Sequence, residues 1–406
     1  MATSGMSVNT RGDVYFDPYD VGIFADPYPV FRRLREEAPL YYNETYDFWA
    51  LSRFKDVEAG FVDHETYSSS RGGVLEAIKQ NFPVPNGFFI MEDPPVHTMH
   101  RSLLSRVFTP KRVSALEPQI RRYCADVLDP LTGADRFDFV TQLGAKMPMR
   151  VIGMLLGIPE QDQDAIRLMG NERTSRQPGQ PAQYTEGRFS DETFFGDYLD
   201  WRTQHPSDDL MTALVEVEFR DGTGVTRRMD REEILTFVNL LATAGNETTN
   251  RLIGWIGKVL GDHPDQRRQV AGDRQLIPNT VEEVLRYEPP SIHGCRSLLR
   301  DVQLYGQTVP AGSAIMLLRG SANRDHRAFP PDGDVFDIHR TIGHHLAFGY
   351  GIHFCLGAAL ARMEAQVALD EVLNRFPDWE VDSQHAELDS SIVRGWKTLP
   401  VSIPPR

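Results

Sequence analysis

The chain has 406 residues, 41% of them hydrophobic and 25% charged, the balance of an ordinary globular protein able to bury a large core. Its formal net charge of -14 argues against binding nucleic acid through a general basic field. No window approaches the roughly 18 uninterrupted apolar residues of a spanning helix, and the start, MATSGMSVNTRGDVYFDPYD, lacks the basic head and apolar centre of a secretion signal, so a cytoplasmic protein off the membrane is expected.

The length alone would suit two or three domains, but no Pro/Gly/Ser-rich linker, repeat or low-complexity tract divides the chain, and one domain over residues 1–406 is expected. Its three cysteines, Cys124, Cys295 and Cys355, are odd in number and lack metal-site spacing, which makes a disulfide framework or an iron–sulfur cluster unexpected. No flavin or nicotinamide fingerprint is present either.

In chain order, residues 26–39 place Phe31, Leu34 and Ala38 at helical spacing, with Pro39 as the stop. A short strand, Phe48 to Leu51, and a helix, Asp56 to Phe61, follow. Residues 74–91 are apolar but broken by Pro83, Pro85, Asn86 and Gly87, a composition that suits either a pocket wall or a loop folded on the core. After Pro94 and Pro95 a helix runs to about Phe108, with His97 and Arg101 four apart and therefore on one face. The segments Arg112 to Leu128 and Met147 to Ile158 have the spacing of core helices. Residues 170–188 are rich in Gln, Pro and Gly and read as an exposed loop.

A long helix then opens on Asp230, with Glu233 three residues later as a capping-box partner, and continues to Leu260 before Gly261 and Pro264. Its 31 or so residues would span roughly 46 Å, the width of the molecule. Its centre, Ala244-Gly245-Asn246-Glu247-Thr248-Thr249, puts a glycine, a carboxylate and two hydroxyls where a spine helix favours Ala or Leu. Glycine there costs about 1 kcal/mol against alanine, so a local distortion or close ligand approach is expected. Glu283 and Arg286 stand one turn apart on the next helix. Pro289 to His293 is extended, and Arg296 opens the run R-x-x-x-x-D-V-x-x-x-G-x-x-V-P-A-G through Gly306, Pro310 and Gly312.

Near the C-terminus, HHLAFGYGIHFCLGAALAR sets Cys355 after a glycine-rich turn and before a helix from Ala358 to Phe376. The free N–H groups and positive dipole end of a helix lower a thiol's pKa, so a thiolate is expected. Residues 391–396 read as a hairpin tip.

Phe348, Gly351, His353, Cys355 and Gly357 together resemble the haem-thiolate signature of the cytochrome P450 monooxygenases, in which an aromatic residue, a glycine, a basic residue, the iron-ligating cysteine and a second glycine recur at this spacing. The AGNETT segment is similar to the family's oxygen-activation signature, with Glu247 where aspartate is commoner. DPPVHTMHR resembles the stretch whose histidine and arginine bind haem propionates, and EEVLR resembles the family's buried Glu/Arg pair, completed by a downstream residue for which Arg340 is the best match.

This resemblance implies a mainly α fold with small β-sheets (α+β), the haem lying between the long central helix and the C-terminal cysteine-loop helix. It implies haem b (iron protoporphyrin IX), with Cys355 as the metal ligand and His97, Arg101, Arg296 and His353 as propionate donors. Glu247 and Thr248 become the catalytic proton relay. It further implies oxygen insertion from O2 into a small, largely apolar organic substrate, with electrons from a separate ferredoxin and ferredoxin reductase. A basic patch of Arg106, Lys111, Arg112 and Arg362 would receive the ferredoxin, and residues 170–188 would form a lid. Alternatives are a peroxide-driven haem-thiolate peroxygenase, which typically lacks the acid and alcohol pair, and a non-enzymatic haem sensor or carrier, for which a proton relay has no use.

Overall fold

The computed structural model describes residues 14–105, 108–183, 192–389 and 391–404. Helix α1, Tyr28–Glu37, buries Phe31 and Leu34 completely and ends at Ala38, ahead of Pro39 as its sequence dictates. Strands β1, Leu40–Asn43, and β2, Phe48–Leu51, pair antiparallel, and helix α2, Phe54–Val62, follows. With β3, Tyr67–Ser68, β4, Gly294–Leu298, and β5, Ala314–Leu317, they make a five-stranded sheet in the order β1-β2-β5-β4-β3, in which β5 runs parallel to β2. Arg296 pairs with Ile315 in this sheet, so a strand rather than a loop fixes its backbone.

The body is helical: α3, Val96–Ser105; α4, Glu117–Leu128; α5, Met147–Leu156; α6, Glu160–Thr174; α7, Arg231–Asp262; α8, Ile277–Tyr287; and α9, Ala358–Arg375. The 32-residue α7 is the spine, and Asp230 and Glu233 close the expected capping box at its start. Its second half packs with α4, α8 and α9 in one continuous core, from Ile120 and Leu128 through Leu252 and Ile256 to Val284 and Leu369. Its first half packs with α5 and α6 in a second. A hairpin of β6, Glu387–Leu388, and β7, Trp396–Thr398, comes back against α7 near the C-terminus.

Several expectations need correction. α7 runs unbroken through Ala244–Thr249. The expected local distortion is therefore absent, and a Cβ on Gly245 would press to 3.2 Å from Ile152 of α5. The expected helix from Arg112 to Leu128 is two, Pro110–Ser114 and α4, because Pro118 has no N–H to continue the first and is suited to the opening turn of the second. Residues 170–174 belong to α6, not to a loop, and 184–188 lie outside the described residues. The broken apolar stretch 74–91 contains a helical turn, Leu75–Lys79, and buries Phe88, Phe89 and Met91 in the core beside α7, with Phe89 stacked on Phe237 at 5.8 Å. No helix among the described residues is long and apolar enough to cross a membrane.

Candidate active site

Cys355 is held by a loop that its glycines make feasible. Gly351 has φ +69°, and a Cβ on it would lie 2.5 Å from the Phe61 carbonyl at the end of α2, so the loop docks on α2 only with glycine there. The Cys355 N–H donates to the Phe348 carbonyl at 2.9 Å, which turns the sulfur toward the start of α9. Apart from its chain neighbours, no atom lies within 4 Å of where a Cβ on Gly357 would sit, and Cys355 itself is half-buried. Burial raises the thiol's pKa, and the Gly357 N–H together with Arg101, Arg319 and Arg362 pull it down. The helix-end effect read from the sequence is present in the Gly357 N–H, and burial opposes it in the metal-free chain. A metal bound at the sulfur reverses that balance, because a coordinating thiol is deprotonated outright.

Four cationic or basic side chains converge on this loop. His97 on α3 is buried, and its ring lies 4.2 Å from that of His353, centroid to centroid. Neither ring nitrogen of either histidine makes a well-formed hydrogen bond, His353 feeling only the Glu92 backbone, and all four are shielded from solvent. Burial, then Arg101, holds His97 down to about 4. Burial, with Arg296, His97 and Arg101, depresses His353 further still, against a small opposing pull from the Glu92 backbone. Arg101 donates to the Phe354 carbonyl at 2.6 Å, and Arg296 donates to the Cys295 carbonyl at 2.8 Å while burial lowers it to about 10. Orphaned buried polar groups cost about 1–3 kcal/mol each, so rings with unmet hydrogen-bonding capacity beside two guanidiniums suit an anionic ligand.

Opposite the usual run of buried α7 residues, Ala244 is exposed and Thr248 half-buried. The Thr248 hydroxyl donates to the Ala244 carbonyl at 2.8 Å. Glu247, 1% exposed, turns to an adjoining face, where Asn246 donates to Oε1 at 3.3 Å and Arg251 to Oε2 at 3.1 Å. Arg251 is held in turn by Asp389 and by the Trp396 carbonyl of the β6–β7 hairpin. The structure thus places Glu247 and Thr248 side by side on the helix but does not join carboxylate to hydroxyl. Burial raises the Glu247 pKa, and Arg251 opposes it.

Glu283, Arg286 and Arg340 form the buried network expected of them: Glu283 receives Arg286 at 2.6 and 2.7 Å and Arg340 at 3.3 Å. In the supposed basic patch, Arg362 is not a free charge. It forks onto Glu282 at 2.6 and 3.0 Å and lies 4.5 Å over the Phe348 ring, bracing the cysteine loop. Lys111 and Arg112 are exposed, and Arg106 lies outside the described residues. A surface cleft of about 780 Å³ is lined by Pro94, Met99 and Phe219 and stands apart from the cysteine loop. Sequence reasoning missed Arg251 and Arg319. Arg251 was readable at four residues from Glu247, whereas nothing in the order Leu-Arg-Gly-Ser marks Arg319.

The donor set suits a flat, dianionic macrocycle: His97, Arg101, Arg296 and His353 would hold its two carboxylates, and Cys355 would ligate its iron. The class so defined is a haem-thiolate protein. The cytochrome P450 family profile matches residues 189–401. Cytochrome P450 130 of Mycobacterium tuberculosis is 36% identical over 395 residues, covering 93% of this chain and 94% of that protein. The vitamin D(3) 25-hydroxylase of Pseudonocardia autotrophica is 34% identical over 408 residues, 99% of this chain and 100% of its own. Among solved structures, CYP109E1 from Bacillus megaterium in complex with testosterone matches with TM-score 0.82 and 29% identity, covering 95% of this chain and 99% of that one. The chain belongs to the cytochrome P450 family of monooxygenases, whose fold and haem it shares.

Proposed function

We propose that this is a single-domain, cytoplasmic monooxygenase that binds haem b through Cys355 and inserts one oxygen atom from O2 into a largely apolar small molecule, with electrons from a separate ferredoxin and its reductase. The observation that carries the reading is the pair of shielded histidine rings, His97 and His353, without well-formed hydrogen bonds and grouped with Arg101 and Arg296 by the half-buried Cys355. Thiolate-ligated haem, when bound, supplies the activation of dioxygen that lets an unactivated carbon be oxidised.

The chain's own groups have separable tasks in this reading. His97, Arg101, Arg296 and His353 hold the propionates by charge-assisted hydrogen bonds. Thr248 offers a hydroxyl on the open face of α7, and Glu247, raised by burial yet tethered to Arg251, is the neighbouring carboxyl able to gain and release a proton. That acid and alcohol pair favours O2 over peroxide as the oxidant. For substrate class, one relative is named for hydroxylating vitamin D(3) and one solved relative holds testosterone, which supports a polycyclic, mostly hydrocarbon molecule.

The test is turnover of the purified holoprotein on a panel of steroids, terpenoids and macrolides preselected by their spin-state shift. Product formed with ferredoxin, reductase and NAD(P)H, and little with peroxide alone, is expected. The reverse pattern overturns the oxidant assignment, and a reduced carbon monoxide complex lacking the thiolate-type band overturns the role of Cys355.

A further inference from the structure

Arg319 opens a short helical turn after β5 and lies in a deep position that none of the sequence motifs claims. One guanidinium nitrogen donates to the Ser291 hydroxyl at 2.7 Å and to the His293 carbonyl, while its Nε is buried without a partner. The group sits 5.6 Å from the centre of the Phe61 ring, and Arg296 sits 5.4 Å from the centre of the same ring. A Cβ on residue 294 would come within 3.1 Å of the Arg319 guanidinium, so Gly294 leaves the room it occupies.

Two guanidiniums therefore meet around one phenylalanine, and among the described residues neither forms an ion pair with a carboxylate. Asp93, which acts on Arg296 at longer range, is taken up by the Ser68 hydroxyl at 2.5 Å and the Ser69 N–H at 2.9 Å. Like charges gathered away from water need an anion between them. Phe61 also backs the cysteine loop at Gly351, and Cys355 feels Arg319 alongside Arg101, so the charge lies on the cofactor side of the sheet.

We propose that Arg319 is a fifth cationic anchor of the haem, sharing a propionate carboxylate with Arg296. The inference rests on the haem reading above and extends it to a residue outside the family motifs. Ser291 and the His293 carbonyl aim the guanidinium, and Gly294 admits it.

The test compares Arg319→Gln and Arg319→Lys holoproteins with the parent, without substrate, by the rate of haem transfer to apomyoglobin and by reduction potential. Arg319→Gln should lose haem about tenfold faster, the scale of one charge-assisted hydrogen bond. Its potential should fall, because the reduced iron gains negative charge that the cation stabilised, and lysine should restore most of both. Haem loss and potential within twofold and within error of the parent would overturn the proposal. So would faster loss at an unchanged potential with no rescue by lysine, the behaviour of a mere brace between β5 and Ser291. If loss is unchanged and only the affinity for acidic ligands falls, the carboxylate belongs to substrate and the proposal is overturned. Where Arg319→Gln does not accumulate, Ser291→Ala is measured the same way, with a smaller rise in haem loss expected and no rise refuting. A thiolate-type carbon monoxide spectrum retained throughout keeps failure here distinct from failure of the haem-thiolate reading.

Discussion

Glu283→Gln keeps the shape of its side chain and removes one charge from a sealed site. Glu283 and Arg286 are fully buried, and Glu283 accepts from both guanidiniums and from the Asp337 N–H at 2.8 Å. The arginines pass that anchorage on. Arg286 donates to the Asn323, Gly333 and Val335 carbonyls, and Arg340 to those of Pro330, Asp332 and Val335. Asn323 then accepts the Leu346 N–H at 2.7 Å, at the entrance of the cysteine loop. The segment 323–340 is thus folded round two cations whose counter-charge, among the described residues, is one carboxylate. Removing one partner of a buried ion pair costs about 3–5 kcal/mol. With an unfolding entropy of about 2 cal/mol/K per residue, that is a fall in Tm of about 4–6 °C for a cooperative chain of this length. The assay is a thermal melt of the holoprotein followed by both circular dichroism and haem absorbance, with haem loss expected to precede loss of helix. A fall below about 1 °C, or a fully stable variant whose turnover alone is impaired, would refute the structural assignment and move Glu283 into the chemistry.

Thr248→Ala removes only a hydroxyl that now caps the Ala244 carbonyl, so haem content should be unchanged while electron consumption rises several-fold relative to product; unaltered coupling would take Thr248 out of the mechanism. Cys355→Ala should abolish the thiolate-type spectrum of the reduced carbon monoxide complex, and a retained band would assign the ligand elsewhere. Glu364 on α9 is buried with one carboxyl oxygen unpartnered, and burial raises its pKa well above the usual carboxylate range. Its neutral form is the one the fold accepts, so its contribution is whole below the unfolded-state pKa and is lost as pH rises toward the folded-state value. Glu364→Gln should therefore raise Tm at pH 8 and do little at pH 4; an equal change at both would show that the carboxyl titrates normally.

The spine helix and the cysteine loop were legible because each rests on local rules, whereas the cationic set beyond the His97 and Arg101 spacing was readable only through the family resemblance. A capping box starts α7, glycines open the loop, and a four-residue spacing puts His97 and Arg101 on one face. What escaped was decided by neighbours distant in sequence. Gly245 reads as a functional break until Ile152 is seen against it, and Arg362 reads as a free surface charge until Glu282 is seen beneath it. Arg319 is the extreme case, because its meaning lies wholly in Gly294, Phe61 and Arg296, each on another element.

The geometry on α7 separates two demands that a proton-handling pair must meet. A carboxyl buried as deeply as Glu247 would stay neutral if left alone, and one gripped by a permanent cation would stay ionised. Arg251 does not grip it undivided. The same guanidinium is claimed by Asp389 and by the Trp396 carbonyl, so the hairpin sets how much of its field reaches Glu247. Burial and Arg251 then act in opposite directions on one carboxyl, with burial ahead. For the proton relay proposed above, that balance is what would leave the carboxyl able to exchange its proton, with the C-terminal hairpin setting the share of Arg251 that reaches it. Thr248, on the next face of the helix, is half-buried and holds its hydroxyl on the Ala244 carbonyl.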